Sequence, residues 1–171
     1  MEPDRVSRLV ADVSRLHTGI DHTSKALGAR LLHLSDLVQR HYSAVCSQFG
    51  VSLTGHSVLT TLRRHAPRQL TLSEINRDAL VTSGGMTFVV RQLEKQGLVL
   101  RRPHPDDRRA SLLRLSPKGR RVADRIIVAV AAADTSIARE LGKIDGAAAE
   151  HLLRELQRSV ESVMQPSPLE G

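Results

Sequence analysis

Two arginines and two acids stand side by side in Pro105-Asp106-Asp107-Arg108-Arg109, between the short apolar runs Leu98-Val99-Leu100 and Leu112-Leu113-Arg114-Leu115. Two such runs around a brief polar stretch read as a β-hairpin. A hairpin tip needs turn-forming residues and nothing more. Arginines placed there are free for an outside partner, and guanidinium groups grip phosphates and guanine edges in pairs of parallel hydrogen bonds. Just upstream, Ser83-Gly84-Gly85 opens a helix with small side chains. Its free backbone N–H groups and the helix dipole suit a phosphate. Residues 81–119 therefore imply a helix for the DNA major groove and a projecting loop for the backbone or minor groove.

The charge supports this reading by its location. Residues 53–119 hold twelve Lys and Arg against five Asp and Glu, a net of +7, and the rest of the chain holds thirteen of each. The whole excess lies on the segment that reads as a DNA binder, as a polyanion-binding surface requires. A solvated basic face is the plainer alternative, and its confinement to this segment favours DNA. With 171 residues, 40% hydrophobic and 25% charged, the chain has ordinary globular composition. No apolar run approaches the ~18 residues of a membrane span. The first residues, MEPDRVSRLVADVSRL, do not form a signal peptide. A cytoplasmic, bacterial, nucleoid-associated protein is expected.

The elements that must position the arginines follow from hydrophobic periodicity. Val6, Leu9, Val10, Val13, Leu16 and Ile20 predict a helix over 4–20. Thr23 or Ser24 caps a long helix over 25–49, with Leu27, Leu31, Leu34, Val38, Tyr42, Val45 and Phe49 on one face and Gly50 at its end. Thr54 caps a third helix, and Thr71 or Ser73 starts a fourth carrying Leu72, Ile75 and Leu80. Ser83 opens the fifth, which turns Met86, Val90 and Leu93 inward and ends at Gly97. After the hairpin, Ser116-Pro117 starts a long helix to about Leu141, and Asp145 caps the last one. The chain is thus mainly α with a small β-hairpin. Long amphipathic helices at both ends have no partner within so small a domain, so they are expected to meet those of a second subunit in a homodimer.

Asp107, Arg109, Leu113, Leu115, Ser116 and Gly119 fit the pattern Asp-x-Arg-x-x-x-Leu-x-Leu-Thr-x-x-Gly, with Ser for Thr. With the preceding LVTSGGMT and LEKQGLVLRR, this stretch resembles the MarR family of winged-helix regulators. The likeness runs over roughly 25–165, and the helix at 4–20 resembles an N-terminal extension found in a subgroup that includes urate-responsive regulators. The resemblance implies a winged helix-turn-helix with a helical dimerisation region: 1–52 and 120–165 for dimerisation, 53–119 for DNA, and 166–171 as a tail. It implies double-stranded DNA with a pseudo-palindromic operator as partner, and a small effector that releases it. The DNA contacts it implies are Ser83, Gly84, Thr87, Phe88 and Arg91 on the recognition helix and Arg108 and Arg109 on the wing, with Asp107 pairing with Arg109 across the turn. Phe88 either touches a thymine methyl or packs inward; the family commonly has polar residues there. Which arginine inserts stays open.

The effector is expected between the helices at 25–49 and 54–65 and the DNA lobe. Arg40, His41, Arg63 and His65 are the polar candidates there, suited to an aromatic acid or its CoA thioester. Two rival readings are a redox sensor acting through Cys46, the one cysteine, and an architectural DNA binder without ligand. Cys46 has no basic residue within a turn to lower its pKa, which favours a structural thiol. The eight histidines are scattered, so no metal or other cofactor is expected. The chain lacks a nucleophile–base pattern and a phosphate loop, so an enzyme is not expected either.

Overall fold

A computed structural model describes residues 3–17, 19–80, 85–107, 109–140, 142 and 145–164. Two compact units are distinguished, one up to Val130 and one from Ala131. The first begins with α1 (Arg5–Leu16), whose Asp4 cap accepts a hydrogen bond from the Ser7 N–H at 2.8 Å. Val6 and Val10 are its buried residues, and it packs on α2 (His22–Ser47). The predicted caps of α2, Thr23 and Ser24, are instead the donors. Asp21 accepts from both of their N–H groups, at 3.3 and 2.9 Å, and starts the helix at His22. A carboxylate at this end also meets the positive pole of the helix dipole. These hydrogen bonds to Ser24 and Thr23 hold the Asp21 carboxyl below its usual pKa.

The next helix, α3 (Leu53–His65), corrects the sequence in the same way. Ser52, not Thr54, is its cap, accepting from the Gly55 N–H at 3.0 Å. For α4 (Leu72–Asp78) the cap is Thr71, and the arrangement is reciprocal: Thr71 Oγ1 accepts from the Glu74 N–H, and the Glu74 carboxylate accepts from the Thr71 N–H at 2.7 Å. Replacing this side chain removes a cap from a seven-residue helix. Thr71→Ala is expected to cost about 1 kcal/mol, read as a lower urea midpoint at unchanged slope. Leu80, predicted on the apolar face of α4, is 97% exposed, because the helix stops at Asp78 and Leu80 lies beyond it.

The core gathers Cys46 from α2, Val58, Leu59 and Leu62 from α3, and Ile75 from α4. It also takes Val90 and Leu93 from α5 (Met86–Lys95), together with Ile126 from α6 (Pro117–Glu140). Strands β1 (Val99–Pro103) and β2 (Ser111–Leu115) pair antiparallel, Val99 opposite Leu115 and Pro103 opposite Ser111. Leu70 extends the hairpin by a bridge to Leu113, with reciprocal backbone hydrogen bonds of 3.0 and 2.8 Å. This fastens the wing to the connection between α3 and α4. In the second unit, α7 (Gly146–Met164) is capped by Asp145, which accepts from the Ala147 and Ala148 N–H groups. The helix has no buried residue: Leu152, Leu153, Val160 and Val163 are all exposed.

Candidate nucleic-acid interface

Helix α5 is short and strongly two-faced. Met86, Val90 and Leu93 anchor one side in the core, which turns Thr87, Phe88 and Arg91 outward. The alternative left open for Phe88 is thereby decided: its ring is 65% exposed, and the neighbouring Val89 packs against the core instead. A bulky apolar ring held in water on an otherwise polar face can meet a thymine methyl. Ser83 and Gly84, expected at the start of this helix, lie outside the described residues.

The wing is braced at both ends. At its tip the Asp107 carboxylate accepts from the Arg109 backbone N–H at 2.8 Å, and the Asp107 carbonyl accepts from the Ala110 N–H at 3.0 Å. Asp107 thus holds the turn through the backbone rather than by the side-chain ion pair with Arg109 that the sequence implied. A short carboxylate reaches the N–H two residues on more readily than the end of a long arginine. The Arg109 side chain is left exposed and without an ion-pair partner among the described residues. Arg108 lies outside the described residues. At the base, Arg101 of β1 forms a bidentate pair with Glu94 of α5, at 2.7 and 3.2 Å. Helix and wing are tied by that fork, so they present their outer faces as one surface. No local spacing rule announces a contact seven residues apart between a helix and a strand, and the sequence reading missed it.

The turn after α5 is locked to α6. The Ser116 hydroxyl donates to the Gly97 carbonyl at 2.7 Å and accepts from the Gly119 N–H at 2.8 Å, and the Lys118 ammonium donates to the Gln96 carbonyl at 2.9 Å. Gly97 itself has a positive φ of 70°, which glycine adopts without strain. These contacts supply a physical reason for the Leu-Ser-Pro-Lys-Gly run that the sequence presented only as a pattern.

Residues 51–111 match the model of the MarR family. Over these residues the chain is similar to the MarR family, and its fold is a winged helix-turn-helix. It is 30% identical over 89 residues to the uncharacterised HTH-type transcriptional regulator YkoM of Bacillus subtilis (strain 168), over 52% of this chain and 56% of that one. It is 29% identical over 98 residues to the HTH-type transcriptional regulator PecS of Dickeya dadantii (strain 3937), over 57% and 59% of the two chains. The chain thus spans less than two thirds of the length of these curated relatives. The S. aureus MepR–DNA complex shares the fold, with a TM-score of 0.67 at 17% identity, over 79% of this chain and 96% of that one.

The four expected effector residues have separate partners. Arg40 pairs with Asp36 one turn earlier on α2. Arg63 reaches Asp124 of α6 at 2.7 Å, and His65 reaches Asp78 at the end of α4 at 3.1 Å. The His41 ring is 6.4 Å from that of Tyr42. Arg63 and His65 therefore join α3 to its neighbours, and none of the described contacts links one of the four to another. Cys46 is fully buried, and burial pushes its thiol pKa up, which withholds the thiolate that redox chemistry needs.

Proposed function

We propose that the chain is a transcriptional regulator that binds a pseudo-palindromic operator in double-stranded DNA as a homodimer and is released by a small effector, most directly as a repressor. One observation carries this reading: the outward face of α5, with Thr87, Phe88 and Arg91, is fixed by the Arg101–Glu94 pair beside a wing whose Arg109 is exposed and unpaired among the described residues. Ser83, Gly84 and Arg108 complete the proposed DNA-contacting set, with Asp107 stabilising the wing. Residues 53–119 form the DNA-binding part, and 1–52 and 120–165 the dimerising parts.

The homodimer is supported by apolar side chains that the described residues leave exposed within each unit. Leu9, Leu16, Leu27 and Leu34 in the first unit, and Leu152, Leu153, Val160 and Val163 in the second, are each about half exposed or more. Faces of this kind on amphipathic helices mark association. Helix α1 also supports placement in the subgroup with an added N-terminal helix. The effector is an aromatic or acidic molecule or its CoA thioester, with Arg40, His41, Arg63 and His65 as its candidate anchors. Breaking the Arg63–Asp124 or His65–Asp78 pair is one means by which it would alter the packing of α3.

The test is binding to the duplex upstream of the chain's own gene, measured by fluorescence anisotropy. Replacing both Arg108 and Arg109 by Ala is expected to weaken binding by ~1 kcal/mol or more per lost groove contact. A double variant that binds as tightly as the unaltered protein would remove the wing from the proposal.

A further inference from the structure

We propose that the base of the wing holds a site for a small phosphorylated molecule, separate from the DNA-facing surface of α5. A cavity of about 400 Å³ lies where the end of α3, the connection to α4, the hairpin and the first turn of α6 meet. Four of its lining residues are Arg68, Arg102, Arg114 and Arg120, and none is an acid. The hairpin register accounts for two of them. Val99 and Leu113 face the core, so Arg102 and Arg114, an odd number of residues away, stand on the opposite face.

Several guanidinium groups of the first unit are neutralised by a neighbouring acid, and most of those in the cavity are not. Arg15, Arg30, Arg40, Arg63 and Arg101 each pair with a carboxylate. In the cavity only Arg68 does, with Glu74; Arg102, Arg114 and Arg120 have no partner among the described residues. Like charges gathered around one recess repel. An anion inside it relieves that repulsion, and arginine forks match the oxygens of a phosphate.

A second observation narrows the class. The side-chain oxygen of Gln69, another lining residue, is buried and has no hydrogen-bond partner. A buried acceptor asks for a donor, and a bare phosphate dianion offers none. A phosphate ester carrying a hydroxyl offers both groups. The cavity has the size of ordinary small-molecule sites. The same phosphate chemistry exists on the DNA backbone, but a recess with Leu62, Pro67 and Leu115 in its walls and a buried amide oxygen fits a small molecule better.

The experiment titrates ribose 5-phosphate into the full chain by calorimetry at constant ionic strength, without DNA. Saturable binding is expected for the unaltered chain, with Arg114→Ala weakening it by ~tenfold or more. Arg121→Ala removes the same charge from an exposed position of α6 outside the cavity and is expected to leave binding unchanged. Both side chains are solvent-facing, and melting curves check that both variants fold. Absence of binding, or equal loss in the two variants, overturns the site. So does an Arg114→Ala variant with weaker operator affinity when the sugar phosphate does not bind the unaltered chain, which assigns the arginine to the DNA backbone. Because the titration contains no DNA, failure of the regulator reading leaves this result standing, and the reverse holds too.

Discussion

Gly119→Ala is expected to remove a large part of the stability of the winged-helix part. A methyl group at this position would overlap the carbonyl oxygen of Leu98 and lie 2.7 Å from its carbonyl carbon and 3.1 Å from its Cα. The obstacle is backbone, so no rotamer change relieves it. The first turn of α6 would have to lift away from the start of β1. That movement breaks the Ser116 N–H bond to the Leu98 carbonyl, 2.9 Å, and strains the Ser116 hydroxyl bond to Gly97, 2.7 Å. Overpacking alone costs about 1–3 kcal/mol, and each buried hydrogen bond adds ~1 kcal/mol. The sum, roughly 3–5 kcal/mol, is a large part of the ~5–15 kcal/mol that holds a domain folded. Urea unfolding followed by circular dichroism reads it directly. A loss below ~1 kcal/mol would mean that α6 and β1 are not in close approach. By contrast, Gly50→Ala meets no neighbouring atom and suffers only from its positive φ of 67°, so it is the milder comparison.

The sequence carried the order of elements because each core-facing stripe repeats at the period of its own structure. Met86, Val90 and Leu93 recur at helical spacing and are buried; Leu113 and Leu115 alternate with exposed Arg114. Caps were less legible. Ser52 and Thr54, like Asp21 and Thr23, are both competent residue types within two positions of each other. Which one caps depends on where the backbone leaves its extended conformation, and composition does not encode that. Leu80 was misread because periodicity continues past the point where α4 ends. In the site, the outward residues of α5 followed from the inward ones. The partners of Arg101, Arg63 and His65 did not, since Glu94, Asp124 and Asp78 meet them only once the elements have packed. Arg102 and Arg114 were visible as charges, but their shared recess depends on strand register and on α6.

Under the regulator reading, DNA affinity is expected to fall about a thousandfold as salt rises from roughly 50 to 200 mM. The net +7 of residues 53–119 sits in a chain whose remainder is neutral. Within it Arg91 and Arg109 are exposed and unpaired among the described residues, so approach to a phosphate breaks no existing ion pair. Suppose each copy in the dimer neutralises about three phosphates, counting Arg108. Six contacts then give a log–log slope of about −5, hence the thousandfold change. Arg91→Ala in both copies, if each arginine holds a phosphate, makes the slope shallower by about 2. Phe88→Ala removes an apolar base contact instead. It is expected to leave the slope unchanged while reducing the preference for the operator over a scrambled duplex by ~1 kcal/mol or more. The two variants separate charge from readout on one helix face. A flat salt dependence in the unaltered protein would sink the electrostatic argument. An Arg91→Ala slope equal to that of the unaltered protein would move this residue from the phosphates to a base edge.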